Sequence, residues 1–336
     1  MMNKIRFAII GCGRIAERHA THIHHYGELV AVCDIIESKA VSLGEKYAAG
    51  HYLRIEDLLS AESAIDVVVI CTPNGLHAQH AIQALFKKYH VLVEKPMALT
   101  ADDCDIMINA AANAGKQIFT VMQNRFNPPV QAVKKALDAG AFGKISSIQL
   151  TCFWNRDDHY YADPWRGTKA MDGGILFTQF SHFIDLLYWF FGEVKNISAI
   201  TKNADHPNSI EFEDSGVVLL EFTNGIIGTI NFSVNSFAKN REGSLAILGK
   251  NGTVKIGGEY LNTIEYSQFA DHEMDMAADT IASNDYGTYK GSMRNHDKVY
   301  LNLIDTLQNG APFYASAYEG LQTVEIIGRI YYAATH

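Results

Sequence analysis

Residues 5–18 read IRFAIIGCGRIAER. The segment IRFAII is a short apolar run with one cation, and Gly11-x-Gly13-x-x-Ala16 follows at once. Such a run suits a strand buried on both faces, and a helix pattern then holds from about Ile15 to Tyr26. Glycines at this junction permit a tight turn and close approach of a ligand to the backbone, while the helix N-terminus favours an anion. Alone the pattern is weak, because glycines end many strands. The next strand strengthens it: LVAVCD (29–34) ends on Asp34, 23 residues beyond Gly11. A carboxylate there accepts hydrogen bonds from the adenosine ribose 2′-hydroxyl and repels a 2′-phosphate. The combination predicts a dinucleotide site that prefers NAD to NADP, contacted by Gly11, Gly13, Arg14, Ile15 and Asp34. The competing reading is an ordinary strand–helix turn with an incidental acid, in which Arg14 is a solvated first-turn cation.

Outward from this turn, strand and helix signals alternate. Helices are expected from Ser38 to Tyr47 and Ile55 to Leu59. IDVVVIC (65–71), VLVEK (91–95) and QIFTVM (117–122) read as further buried strands, and Thr100 opens a helix with Asp103 as its capping partner. Continuous apolar strands separated by helices mean a parallel sheet covered on both faces. From about Asn124 the pattern changes. KISSIQLTCFW (144–154) alternates polar and apolar, and GVVLLEFTNGIIGTINFSV (216–234) and LAILGKNGTVKIGG (245–258) each suggest a hairpin around Asn-Gly. Helix signals occupy 129–139, 297–309 and 316–334. The expected fold is α/β: an N-terminal Rossmann domain with a parallel sheet over residues 1–123, and a C-terminal α+β domain with a large, mainly antiparallel sheet over 124–336. Two domains suit 336 residues.

The apolar share of 48% and charged share of 19% are those of a globular chain. A net charge of −9 argues against nucleic acid or an anionic membrane as partner, though it leaves room for a local basic pocket. The five cysteines are scattered without a CxxC pair, so neither structural zinc nor a disulfide framework is expected, no metal is assigned, and a cytoplasmic location fits. The first residues do not form a signal peptide, and His182 and Asp185 interrupt the longest apolar stretch, which is therefore no simple membrane span.

Two motifs, CTPNGLHAQHA (71–81) and VEKPMALT (93–100), follow the third and fourth strongly apolar strands. With the glycine turn and the late EGLQTVEIIGRIYYAA segment, they resemble the glucose–fructose oxidoreductase, inositol dehydrogenase and rhizopine-catabolism (Gfo/Idh/MocA) family across nearly the whole chain. The resemblance implies an NAD-dependent dehydrogenase in which Lys95 lies at the nicotinamide and the substrate hydroxyl, and in which Thr72, Pro73, Asn74 and His77 line the cofactor. Lys95 is also reached independently. A lysine at the carboxyl end of a parallel strand points into the ligand crevice, and removing hydride from an alcohol requires the hydroxyl proton to leave as well. A surface lysine is the alternative. Glu94 is either a solvated strand-end carboxylate, also counted among the cofactor contacts, or a partner orienting Lys95.

DGGILFTQFSHFIDLLYWFF (172–191) is apolar except at Thr178, Ser181, His182 and Asp185, whose spacing puts them on one stripe of a helix. The stripe either faces solvent or lines a cavity for a polar ligand. In the family the motif implies that His182 joins Lys95 in catalysis. The acid that inositol-type members carry four residues before the histidine is here Thr178, which orients a hydroxyl but cannot be an anionic base. Proton relay is therefore assigned to Lys95 and His182, with Thr178 and Gln179 as substrate contacts; Asp185 is either functional or a buried structural partner.

WNRDDHYYADPWRGTKAMDGG (154–174) mixes aromatics with Arg156, His159, Arg166 and Lys169. Aromatic faces stack on sugars or bases, and arginine forks suit carboxylate and phosphate, which suggests an anionic substrate. The alternative is that the aromatics pack and the arginines pair with Asp157, Asp158 and Asp163. Gln123, Trp165 and Arg166 complete the expected cofactor contacts, and Asn124, Arg125, Arg156, Tyr160 and His296 the substrate contacts. Within the family this stretch resembles dehydrogenases that oxidise C3 of UDP-N-acetylglucosaminuronic acid. The rivals are a dehydrogenase of a free sugar, inositol or sugar acid, an enzyme that uses NAD transiently for glycoside cleavage, and a non-catalytic NAD-binding regulator, which needs neither Lys95 nor His182. The resemblance further implies a homodimer or homotetramer formed through the antiparallel sheet.

Overall fold

The computed structural model describes residues 4–62, 64–274, 283–285 and 290–336. The chain divides into two compact units: residues 1–122 with 296–324, and residues 123–295 with 325–336.

The first unit carries a six-stranded parallel sheet of order β3-β2-β1-β4-β5-β6. Its strands are β1 (Arg6–Ile10), β2 (Glu28–Cys33), β3 (Gly50–Tyr52), β4 (Val67–Ile70), β5 (His90–Val93) and β6 (Ile118–Thr120). The helices between them are α1 (Arg14–Tyr26), α2 (Glu37–Tyr47), α3 (Ile55–Ala61), α4 (His77–Phe86) and α5 (Ala101–Ala114). Every residue of β4, VVVI, is buried, as a central strand covered on both faces requires. Strand order reverses between β1 and β4, so the carboxyl ends of these two strands border a topological switch point. Thr100 caps α5 by accepting from the Asp103 amide at 3.1 Å, and Gly115 ends it with a positive φ of 64°. The short β3 has too few residues for its alternation to show in the sequence.

A division at residues 123 and 124 does not describe these units. Helix α9 (His296–Asn309) and the start of α10 (Ala317–Thr335) belong with the parallel sheet. The reason is packing at long sequence distance: α9 lies on α1, and the Tyr300 ring meets Phe7 edge-on at 5.6 Å.

The second unit includes α6 (Pro128–Asp138), which has proline in its first turn, and carries a seven-stranded sheet of order β13-β12-β11-β7-β10-β9-β8. The strands are β7 (Ile145–Phe153), β8 (Val194–Lys202), β9 (Ser215–Phe222), β10 (Ile227–Ser233), β11 (Glu242–Gly249), β12 (Gly252–Gly257) and β13 (Thr263–Phe269). All neighbours are antiparallel except β7 and β10. Both expected hairpins form, β9–β10 around Asn224-Gly225 and β11–β12 around Asn251-Gly252. A two-stranded sheet pairs β14 (Ser283–Asp285) with β15 (Lys290–Met293).

The apolar stretch after residue 172 forms two helices, α7 (Ile175–Thr178) and α8 (Ser181–Phe191). Phe180 leaves helical geometry (ψ 4°) as the N-cap of α8, and its ring packs on Trp154 at 5.2 Å and Phe232 at 6.3 Å. With Phe191 against Phe222 at 5.6 Å, these contacts seat α8 on the inner sheet face. The outer face leaves Ile200, Val217, Leu219, Ile227, Leu248 and Tyr266 exposed. No described helix is long and apolar enough to cross a membrane.

Candidate active site

In the first unit, Gly11 has φ +92°, and a Cβ there would lie 2.7 Å from the Cys71 carbonyl group and 2.8 Å from the Thr72 amide. Only glycine fits this crossing of the chain ends of β1 and β4. Gly13 is the N-cap of α1 and makes no side-chain cap bond, and a Cβ on it would meet no protein atom within 4 Å. The first-turn amides of α1 therefore face a cradle that any side chain at 13 would fill, which fits a pyrophosphate. Arg14 is exposed and Ile15 half-buried on that first turn.

Asp34 fixes this turn as well as bordering it. Its Oδ2 accepts the Cys12 amide at 2.7 Å and its Oδ1 the Ile36 amide at 2.8 Å. Ile35, directly after it, is 89% exposed, an apolar side chain beside the expected ribose position that sequence reasoning passed over. The fit to NAD thus rests on the bare N-terminus of α1 and a positioned acid at the end of β2.

At the ends of β4 and β5, His77 is buried, with Nδ1 2.7 Å from the Pro96 carbonyl oxygen and Nε2 2.8 Å from that of Thr72. Burial lowers its pKa, against the opposite pull of the two carbonyls. His77 was expected to line the cofactor. Its ring nitrogens tie the Thr72–Pro73–Asn74 loop to the Lys95–Pro96 loop. Lys95 is half-buried. Glu94 is buried rather than solvated: its Oε1 accepts from His19 Nε2 at 2.9 Å and its Oε2 from the Lys95 amide at 3.2 Å. Burial would raise this carboxyl, but the imidazoles of His19 and His296 beside it hold it well below the usual carboxylate range. His296, expected to touch substrate from the second domain, belongs to the first unit, with Nε2 3.5 Å from Glu94 Oε1.

In the second unit, Ser181, His182 and Asp185 are buried and Thr178 is half-buried, so the polar stripe does not face solvent. The helix break also means that it is not one stripe. Asp185 takes both oxygens to Arg125, from Nε at 2.8 Å and Nη2 at 2.7 Å, and the guanidinium carbon sits 4.9 Å from the Trp189 ring centroid. The expectation that Arg125 contacts substrate meets a buried bidentate ion pair, and Asp185 is its structural partner. Thr178 donates its hydroxyl to the Asp172 carboxylate, which also accepts the Gly167 amide at 2.8 Å. With its hydrogen engaged there, the Thr178 oxygen can meet any further group only as an acceptor. Asp172 was not singled out from sequence; its place in the DGG run was the signal.

The aromatic and basic cluster is packed. Gln179 donates to the Tyr160 hydroxyl at 3.0 Å, and Tyr160 lies between Arg156 and Arg166, whose guanidinium carbons are 5.0 and 4.0 Å from its ring centroid. Arg156 is 3% exposed and donates to Asn155 O at 2.5 Å and Asn240 Oδ1 at 3.2 Å. Arg166 bonds Tyr160 O at 3.1 Å and pairs with Asp163 at 3.4 Å, while Trp165 stays half-buried. Of the three aspartates expected as partners, Asp163 is the one seen paired, with Arg166. Gln123 and Asn124 are buried in the short turn that opens the unit.

Residues 5–122 match the model for the oxidoreductase family with an NAD-binding Rossmann fold, and residues 130–255 the GFO/IDH/MocA C-terminal domain. The WlbA dehydrogenase of Bordetella pertussis, solved with NADH and UDP-GlcNAcA, is 35% identical, with 99% of this chain and 97% of that one covered and a TM-score of 0.89. The WlbA enzyme of Chromobacterium violaceum, solved with the same two molecules, is 36% identical over 99% and 94%, with a TM-score of 0.91. The myo-inositol 2-dehydrogenase of Thermotoga maritima is 27% identical, with 68% of each chain covered. On the family models and these full-length likenesses, the chain belongs to the GFO/IDH/MocA family of NAD-dependent oxidoreductases.

Proposed function

We propose that the protein oxidises a ring hydroxyl, C3, of a nucleotide-sugar acid such as UDP-N-acetylglucosaminuronate. The observation that carries this reading is the likeness, above one-third identity over the full chain, to dehydrogenases solved with NADH and that sugar nucleotide. NAD, when bound, accepts the hydride from the carbinol carbon. Lys95 takes the hydroxyl proton as hydride leaves, and His182 relays it or holds the oxygen. Thr178, its hydrogen held by Asp172, accepts a hydrogen bond from a substrate hydroxyl. A threonine at 178 adds no second carboxylate to that of Asp172, so it opposes an anionic sugar less than an aspartate there would.

A second reading, a neutral free sugar or polyol, is favoured by one observation: Arg125 and Arg156, two of the cations expected to meet an anion, are buried in internal bonds. Incubation with NAD and UDP-N-acetylglucosaminuronate, UDP-N-acetylglucosamine, glucuronate or myo-inositol separates the two. The first reading predicts NADH formation fastest with the UDP-sugar acid; preference for inositol or a free sugar sinks it. Self-association through the outer sheet face is part of the proposal, because the apolar residues from Ile200 to Tyr266 lie on one surface that a second copy would cover. A cytoplasmic location is proposed too, in keeping with five free cysteine thiols.

A further inference from the structure

Three elements of the first unit converge on one buried carboxylate. Glu94 follows β5, His19 stands on α1 and His296 opens α9. His19 is fully buried, with Nε2 2.9 Å from Glu94 Oε1 and Nδ1 2.7 Å from the Tyr300 hydroxyl. The carboxylate only accepts, so Nε2 carries the hydrogen. In the neutral ring Nδ1 is an acceptor, and the Tyr300 hydroxyl donates to it. This assignment gives every hydrogen a partner along a line from Tyr300 through His19 to Glu94. The other carboxylate oxygen takes the Lys95 amide at 3.2 Å.

We propose that His19, backed by Tyr300 and His296, acts through Glu94 as a positioning residue for Lys95, anchoring its backbone to the helix that carries the dinucleotide turn. The proposal rests on the reading of Lys95 as the proton acceptor. Lys95 has a long, flexible side chain, and its amine is placed only as well as its Cα. Misplacement by about 1 Å at a reacting group costs up to ~10²-fold in rate. A buried carboxylate held by a donor from α1, with the His296 ring of α9 against it at 3.5 Å, is a stiff way to fix that point. The same three side chains, His19, Glu94 and His296, also lie close enough together to ligate a metal ion. The hydrogen-bond reading is preferred because both His19 nitrogens already have protein partners.

The test compares wild type with His19→Leu, His19→Gln, Tyr300→Phe and Lys95→Ala. The first readout is hydrogen exchange at the Lys95 amide in the full chain, which needs no turnover. His19→Leu should speed it at least ~10-fold, as loss of an anchoring bond lowers local protection. In turnover, His19→Leu should lower kcat by ~10–100-fold, the range for a displaced group, with NAD affinity nearly unchanged. His19→Gln, which restores a donor near Nε2, should recover most of both effects, and Tyr300→Phe should show a milder loss in the same direction. Unchanged exchange in both His19→Leu and Tyr300→Phe overturns the proposal, as does failure of His19→Gln to rescue. One equivalent of divalent metal in the purified protein overturns it too. If Lys95→Ala keeps full turnover, the catalytic reading of Lys95 fails, and the exchange result still decides the anchor.

Discussion

The Asp34 carboxylate has two jobs that one substitution will expose together. It faces the expected ribose position, and it also holds the Cys12 amide of the glycine turn at 2.7 Å. Asp34→Ala should therefore weaken NAD by ~10–100-fold, the worth of a charged hydrogen bond, and narrow the preference over NADP. Cofactor fluorescence titration at matched ionic strength measures both, and equal NAD and NADP affinities in the wild type would contradict the account. Glu213 offers a second residue-scale check. Burial pushes its carboxyl up to about 8, although the Tyr331 hydroxyl, donating at 2.6 Å, favours the ionised form. An acid with a raised folded-state pKa keeps a proton that the unfolded chain releases near 4.5, so its contribution is largest at low pH and is lost as pH rises towards 8. The melting temperature should fall as pH rises from about 4.5 to about 8, and Glu213→Gln should flatten that fall. An unchanged slope in the variant would place the responsible proton elsewhere.

At the scale of elements, the break between α7 and α8 matters more than any single contact. The spacing of Thr178, Ser181, His182 and Asp185 suggested one continuous polar stripe. Phe180 ends that continuity by turning its ring into Trp154 and Phe232, a tertiary contact with residues 26 and 52 positions away that no local pattern carries. Thr178 then meets Asp172, while Asp185 meets Arg125. Removing one member of that buried pair leaves an uncompensated charge, so Asp185→Ala should cost ~3–5 kcal/mol in chemical denaturation. Arg125→Met combined with Asp185→Leu should cost less than the single change, because both charges go together. A near-neutral Asp185→Ala would contradict the structural assignment. Local signals did serve where the elements are locally determined. The β4 run of four apolar residues, the Thr100 cap and the two Asn-Gly hairpins each formed where composition placed them.

Over the whole molecule, the parallel sheet, the antiparallel sheet and the dinucleotide turn were legible because strand periodicity and glycine geometry are short-range properties. The return of residues 296–324 to the first unit was not, since Tyr300 meets His19 across 281 positions. The same distance hid the inward use of Glu94 and the true setting of His296. Within the candidate site, motif positions were readable, whereas the roles of His77, Arg125 and Arg156 turned on partners that only folding brings near. Lys95 is the point on which the functional account depends, and it is tested by turnover of the complete protein. The measurement is the rate of NADH formation from NAD and UDP-N-acetylglucosaminuronate by wild type and by Lys95→Ala, with NAD affinity measured alongside. The account predicts unchanged NAD binding and a rate lowered by ~10²–10⁴-fold, the range for a positioned acid–base group; a variant within a few-fold of wild type would contradict it.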